Sequence, residues 1–379
     1  MMTDPIFADA LTESLPRCRD VSPLARKIVV DRPTPQQFDR RPEDFGLVNL
    51  RYNENPFGGP HSRYPAHSPE LLVRRYVQAL DAIEPADPNR RGIEWGPHNV
   101  QLTRGAADAL DLVFRAFFEP GQDAIAVMPP NFFVFDEQAA VHQVACHRVP
   151  LQGHRYDRID VEKLLALPVK GIILCDPNNP TGTRLHAGDI EELLRRFDGL
   201  VVIDEAYGEF SGGPSHRHLI GEHRNLIILR TFSKALGMAG LRLGAAMAHP
   251  EIITALRRVC LPFAFPAPVI RAAMHQLANP RELGRQRDAF MAERDTFAAA
   301  LRRCPSVLRV FSDAGFLGVE VTNVDTADAA LQRAGIAVSC RPMGWPSALR
   351  ISIGSSIDNA RVIRALGGVS PADDAGSPD

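Results

Sequence analysis

The sequence predicts an α/β fold: a mostly parallel central sheet sandwiched by helices, followed by a smaller α/β unit. Three observations carry that expectation. From about residue 100, short and nearly all-apolar runs alternate with amphipathic segments, as in a parallel sheet covered on both faces. The Pro-rich stretch LPFAFPAP, Leu261 to Pro268, ends that alternation. Beyond it, an Arg- and Ala-rich segment leads into a second, shorter set of strands and helices.

In chain order, residues 1–45 are rich in Pro, Arg and Asp with little periodicity, and read as an arm lying on another surface. Residues 46–265 form the expected large domain. Its strands are predicted at Ala124 to Met128, Gly171 to Cys175, Leu200 to Ile203, Leu226 to Leu229 and Leu243 to Met247. Between them, Leu110, Val113, Phe114 and Phe117 recur at helical spacing, as do Ile190, Leu193, Leu194 and Phe197. Residues 266–369 form the expected small domain. It opens with a helical stretch, Val269 to Arg303, and continues with strands at Ser306 to Phe311, Phe316 to Val321, Ile336 to Ser339 and Leu349 to Ile353. Helices are predicted at Thr326 to Arg333 and Asp358 to Leu366. The tail, 370–379, has the composition of a disordered terminus.

The 379 residues are 45% hydrophobic and 23% charged, which fits a soluble globular protein and excludes collagenous or disordered classes. Forty-three Lys plus Arg against forty-five Asp plus Glu leave a formal charge of -2, so no global field favours nucleic acid or an anionic membrane. Six cysteines form no C-x-x-C pair, and twelve histidines form no H-E-x-x-H, so no metal is expected and the thiols read as reduced. The N-terminus is acidic where a signal peptide is basic, and no run approaches the ~18 apolar residues of a membrane span, so the cytoplasm is the expected location.

Candidate chemistry sits at predicted strand ends. The run GIILC is followed by Asp176-Pro177-Asn178-Asn179-Pro180-Thr181-Gly182, LVVI by Asp204-Glu205-Ala206-Tyr207, and LIIL by Arg230-Thr231-Phe232-Ser233-Lys234. Arg242 lies eight residues further on. Only four lysines occur, at 27, 163, 170 and 234. Ligands of open α/β sheets bind at the carboxyl ends of strands. A lysine amine, a strand-end carboxylate and a set of hydroxyls with an arginine is the set that pyridoxal phosphate chemistry needs. The lysine forms a Schiff base, and Asp204 keeps the ring nitrogen protonated. Asn179 and Tyr207 donate to the phenolate oxygen, while Thr231, Ser233 and Arg242 suit a phosphate. Gly105, Ala106 and Ala107, opening the Leu110 to Phe117 helix, offer amides to the same anion.

Seven motifs carry a family resemblance: N-E-N-P-F-G from Asn53, R-Y-P from Arg63, T-R-G-A from Thr103, E-P-G-Q-D from Glu119, P-N-N-P-T-G from Pro177, D-E-A-Y from Asp204, and F-S-K-A-x-G-x-A-G-L-R-L-G from Phe232. With these the chain resembles the fold-type I, class I/II aminotransferases, and within them the histidinol-phosphate aminotransferase group, from about Asn49 to Leu366. The resemblance implies the pyridoxal-phosphate-dependent transferase fold, with Lys234 as the Schiff-base lysine and proton shuttle. It implies that Phe132 stacks on the cofactor ring, where the family has a tyrosine. Tyr64 would reach the neighbouring subunit's cofactor phosphate in a homodimer. Arg350, in L-R-I-S-I-G, would bind the substrate's carboxylate or phosphate, with Asn55 and Arg341 as further substrate residues.

The chain also departs from that pattern. Only four residues separate N-E-N-P-F-G from R-Y-P, where the family has a helical segment. The group's second anion-binding arginine is replaced within Val338-Ser339-Cys340-Arg341-Pro342, and Gly315-Phe316-Leu317 stands where an Asn-aromatic pair is usual. The expected activity is transfer of an amino group between a histidinol-phosphate-like amine or a specialised amino acid and a 2-oxo acid. Decarboxylases resembling threonine-phosphate decarboxylase, oxidases or cyclases of the same fold, and a non-catalytic descendant stay open alongside it. Trp95 and Trp345 read as packing residues, with lining of the substrate pocket a second reading for Trp345, which lies in the loop between Arg341 and Arg350.

Overall fold

A computed structural model describes residues 20–31, 50, 52–59, 61–65, 69–84 and 95–368. The first described helices are α1 (Lys27–Asp31) and α2 (Glu70–Ile83). On α2, Leu72, Val73, Tyr76, Val77, Leu80 and Ile83 recur at three- and four-residue steps, so a single stripe is buried. Next come β1 (Val100–Thr103), α3 (Ala106–Phe117), β2 (Ala124–Val127), α4 (Val134–Val141), β3 (Ala145–Arg148) and α5 (Val161–Leu165). They are followed by β4 (Gly171–Cys175), α6 (Ala187–Arg196), β5 (Leu200–Asp204), β6 (Leu226–Thr231) and β7 (Gly244–Ala248). Then α7 (Pro250–Val259), α8 (Ala267–Gln276) and α9 (Pro280–Leu301) lead to β8 (Val307–Phe311), β9 (Phe316–Val321), α10 (Val324–Arg333), β10 (Ser339–Cys340), β11 (Ala348–Ser352) and α11 (Ser356–Gly367).

The first seven strands form one sheet in the order β1-β7-β6-β5-β4-β2-β3. All of its pairs are parallel except those of β7, which runs antiparallel to both β1 and β6. The carboxyl ends of β1, β2, β4, β5 and β6 therefore share a rim with the amino end of β7. The register makes this concrete, because Thr103 and Thr231 both pair with Gly244. One face of the sheet packs on α2, α6 and α8, and the other on α3, α4 and α7. The second sheet, β10-β11-β9-β8, is antiparallel throughout and has its own core against α9, α10 and α11. Helix α9 serves two cores, with Leu283 near its start in the first and Phe297 and Leu301 near its end in the third.

The five apolar runs of the large region are strands whose residues are all buried or nearly so. Two further strands lack such a run. β3 is an edge strand, ACHR, half or fully exposed, and β1 carries Gln101 in its centre. The Val269 to Arg303 stretch is two helices, because Asn279 caps α9 by accepting the Glu282 amide and Pro280 cannot continue α8. The strand expected at Ile336 to Ser339 shrinks to the two residues of β10. Of the expected arm, residues 20–31 hold α1, where Val29 is buried and accepts from Arg258 of α7. Residues 1–19, 32–49 and the expected tail 370–379 lie outside the described residues.

Candidate active site

The shared rim gathers the sequence-predicted residues from six strand ends. Asn179 follows β4, Asp204 ends β5 with Tyr207 just beyond it, and Thr231, Ser233 and Lys234 follow β6. Phe132 follows β2, half-buried with its ring 5.8 Å from that of Phe135, and Arg242 precedes β7. Lys234 Nζ lies 5.4 Å from the centre of the Tyr207 ring. Asp204, Asn179, Tyr207 and Thr231 are buried, while Lys234 and Arg242 stay exposed to an incoming ligand.

The anion cradle is built by close backbone approach. Gly105, at φ +95°, caps α3, and Thr103 Oγ1 donates to its carbonyl at 2.8 Å. The first amides of a helix have no partner inside it, so Ala106 and Ala107 present donors and the positive end of the helix dipole. Arg242, itself left-handed at φ 54°, bonds the Ala239 carbonyl at 2.9 Å and Ser233 Oγ at 3.5 Å. A Cβ on Gly105 would sit 3.1 Å from Arg242 Nη2, and one on Gly244 would sit 2.5 Å from the Gly105 carbonyl carbon. Ser233 is drawn in by its backbone N–H, which donates to Thr231 Oγ1 at 3.2 Å.

Electrostatics separate the two central groups. Burial pushes the Asp204 carboxyl up to about 6, opposed by the Ala206 amide it accepts at 2.9 Å and by the nearby cations Lys234 and Arg230. The Lys234 amine is held below the usual lysine range by desolvation, then by Arg350 and Arg242. Tyr207, raised by burial, keeps its phenolic proton.

The small sheet closes the site. Arg350 of β11 donates from Nη1 to Asn179 Oδ1 at 2.8 Å and lies 5.8 Å from the Phe316 ring centre. Phe316 meets Tyr207 edge-on with centroids 4.9 Å apart. In the sequence Phe316 stands out only within Gly315-Phe316-Leu317, where an Asn-aromatic pair is usual, and its contact with Tyr207 and Arg350 is not visible there. Other candidates lie elsewhere. Arg341, at φ 46°, pairs with Asp325 of α10 at 2.6 Å. Asn55 is exposed and accepts the Phe57 amide at 3.0 Å. Tyr64 stacks on Phe263 at 4.5 Å between centroids, with Tyr52 edge-on to both. Trp345 is fully buried, donating from Nε1 to Glu320 Oε1 at 3.0 Å, an oxygen that also takes the Tyr156 hydroxyl at 2.9 Å.

Behind the rim runs a buried ionic network that sequence patterning did not reveal. Arg230, fully buried, pairs with Glu84, with Glu205 at 2.8 Å and with Glu209 at 3.0 Å. Glu205 also accepts the Ser215 hydroxyl at 2.6 Å and the His216 amide at 2.7 Å, and His216 Nε2 lies 2.6 Å from Asp176. The ends of β4, β5 and β6 are tied together from behind. Burial raises the Glu209 carboxyl to about 7, so it takes up a proton as pH falls through neutrality.

The cradle between Gly105, Gly244 and Arg242, which a single Cβ would fill, suits a phosphate, and a buried carboxyl raised by desolvation suits a ring nitrogen. The residues therefore fit pyridoxal phosphate. Comparison with known proteins agrees. The family model for aminotransferase class I and II matches residues 86–367. A histidinol-phosphate aminotransferase from Parabacteroides distasonis is 34% identical over 325 residues, covering 84% of this chain and 90% of the relative. Among solved structures, the histidinol-phosphate aminotransferase from Clostridium acetobutylicum matches with a TM-score of 0.68 at 23% identity, over 81% of this chain and 91% of that one. The L-threonine-O-3-phosphate decarboxylase from Porphyromonas gingivalis matches with a TM-score of 0.67 at 20% identity, over 81% of this chain and 90% of that one. At those identities, the two structures speak for the fold alone.

Proposed function

The chain belongs to the class I and II aminotransferases and is a pyridoxal 5′-phosphate-dependent aminotransferase, and on that premise we propose that Lys234 is its reactive amine, at the centre of the rim described above. The cofactor, when bound, supplies an aldehyde that condenses with amines and a ring that withdraws electrons from the carbon next to nitrogen. The protein supplies the rest. Lys234, its amine favoured in the neutral form by partial desolvation and by Arg350, accepts and returns the proton at Nζ. Asp204 is the group that would pair with the ring nitrogen, whose positive charge restores the ionised carboxylate that burial disfavours. Asn179 gives its Oδ1 to Arg350, which leaves the Nδ2 amide as the donor alongside the Tyr207 hydroxyl. Gly105, Ala106, Ala107, Thr231, Ser233 and Arg242 would hold the phosphate, and Phe132 would cover the ring.

The single observation that carries this reading is Lys234 beside Tyr207 on the rim where Asp204, Asn179 and the cradle meet. Arg350 is the proposed substrate anchor; Arg341, paired with Asp325, and the exposed Asn55 would serve as further substrate residues only after rearrangement. The substrates are an amino donor and a 2-oxo acid. The active unit is proposed to be a homodimer in which Tyr64 reaches the neighbouring subunit, a role its 55% exposure allows. The proposed compartment is the cytoplasm, which the free cysteines 146, 175, 260, 304 and 340 suit. Among the described residues, no helix is long and apolar enough to cross a membrane. Borohydride reduction of the cofactor-loaded protein followed by peptide mapping tests the assignment: the added mass belongs on the Lys234 peptide, and its appearance on Lys163 or Lys170 removes Lys234 from this role.

A further inference from the structure

The middle turns of α9 lie under the place where the two sheets meet. Phe290 and Met291 pack against a small apolar cluster of Ala206, Tyr207, Phe210, Ala314 and Phe316, which Ala235 joins from the chain just after Lys234. One turn further on, Arg294 is buried, with Nε on Asp295 Oδ1 at 2.9 Å. Its Nη1 donates to two main-chain carbonyls at once, Phe210 at 2.8 Å and Ala314 at 3.1 Å. Phe210 ends the short turn after β5, and its amide donates to the Tyr207 carbonyl at 3.0 Å. Ala314 lies in the connection from β8 to β9, two residues before Phe316. One nitrogen therefore joins the segment that aims Tyr207 to the segment that aims Phe316. The seam it holds is tight, because a Cβ on Gly315 would lie 2.7 Å from Phe210 Cε2, and Phe290 backs the Phe210 ring with centroids 4.7 Å apart.

A well-packed apolar side chain of similar length would fill this space without the desolvation cost of a buried charge. What the guanidinium adds is direction: its donors form a rigid planar fork, and charge-assisted bonds hold both carbonyls at a fixed separation. From this geometry we infer that Arg294 is a positioning residue for the site. It sets the 4.9 Å edge-on contact between Tyr207 and Phe316, and so keeps the Tyr207 hydroxyl aimed at the phenolate oxygen of the cofactor and Phe316 behind Arg350. The inference deepens the proposed function, resting on its placement of Tyr207 toward the cofactor.

The cofactor's own absorbance reads this without turnover, through the pH at which its Schiff base with the protein loses a proton. A donor to the phenolate oxygen makes that imine less basic, so a displaced Tyr207 raises the midpoint. Full-length protein loaded with pyridoxal phosphate is titrated with pH as native, Tyr207→Phe, Arg294→Met, Arg294→Lys and Leu301→Ala. A hydrogen bond to a charged group corresponds to about 1–2 pH units, so Tyr207→Phe should raise the midpoint by about one unit and Arg294→Met by about half a unit or more. Arg294→Lys, which keeps a cation with several donors, should return most of that shift. Leu301→Ala weakens the same helix within the core of the small sheet and should leave the midpoint in place. A midpoint moved by Tyr207→Phe but not by Arg294→Met overturns the inference, as does one that Leu301→Ala raises as far as Arg294→Met. A midpoint that Tyr207→Phe leaves in place removes the proposed role of Tyr207 and the inference with it, so the two failures are told apart. Should Arg294→Met not fold, Gly315→Ala presses on Phe210 from the other side of the seam, and an unmoved midpoint there overturns the inference equally.

Discussion

Arg350 and Asn179, 171 positions apart in the chain, share a 2.8 Å hydrogen bond that joins the small antiparallel sheet to the rim of the large one. The bond orients both partners at once, aiming the guanidinium at the site and turning the asparagine amide nitrogen toward the place of the cofactor. With Arg350 as the proposed substrate anchor, a contact made across the two sheets in this way would couple substrate affinity to their relative position.

Asn179→Ala removes that acceptor and the donor beside it. Hydrogen bonds to charged groups contribute about 1.5–3 kcal/mol, so kcat/KM for the amino donor should fall roughly 10- to 100-fold. Steady-state kinetics should show the loss in both KM and kcat, since the proposed function gives the residue a part toward both substrate and cofactor. A loss confined to kcat would mean that Arg350 keeps its position without Asn179.

Asp204 makes the cofactor-free protein pH-sensitive in a defined direction. Its carboxyl sits at about 6 in the folded chain against an ordinary value of 3.8, so the folded state binds the proton more tightly than the unfolded one. Stability from this group is complete below about 4 and is lost as pH rises through about 6, a change of up to ~3 kcal/mol. Asp204→Asn should therefore raise the denaturation midpoint of the cofactor-free protein at pH 7–8 and flatten its decline between pH 5 and 7. Urea titrations at a series of pH values measure this. An Asn variant less stable than the native chain at pH 8 would contradict it.

Gly244→Ala tests the cradle. The added methyl would lie 2.5–2.8 Å from the Gly105 carbonyl carbon, the Gly105 Cα and the Ala106 nitrogen, all backbone atoms that cannot swing aside. The start of α3 must shift, and cofactor affinity should drop at least about tenfold while the fold survives, since strain of this size costs about 1–3 kcal/mol. Fluorescence titration of the cofactor-free variant with pyridoxal phosphate gives the number, and circular dichroism checks the fold.

Arg230→Met should be among the most damaging changes outside the site. It leaves Glu84, Glu205 and Glu209 buried together without their common cation, and breaking such a cluster costs about 3–5 kcal/mol. Adding Glu209→Gln should recover part of the loss, because it removes one of the three buried acids, the one that burial holds at about 7. Thermal unfolding of the single and double variants decides the point.

The contrast between what the sequence made legible and what it hid has a physical basis. The strands at Gly171–Cys175 and Leu226–Thr231 were readable because burial on both faces demands an unbroken apolar run. Asn179, Asp204 and Lys234 were readable as neighbours because parallel strands deliver their carboxyl ends to one rim. β3 was not, since an edge strand can be ACHR. Glu84, Glu205, Glu209 and Arg230 were not, since isolated charges in a sequence look solvated and their pairing spans 146 positions from Glu84 to Arg230. The same limit applies to Phe316, whose place between Tyr207 and Arg350 depends on how the two sheets meet.

Helix α9 begins in one core with Leu283 and finishes in another with Phe297 and Leu301, a rod of 22 residues rooted at both ends. A gene fragment started at the Pro-rich stretch near 265 would carry α8 and the first turns of α9 stripped of the surface they cover. Such a piece should be poorly soluble, whereas protease nicks in the intact protein should leave the rod uncut and the halves still joined.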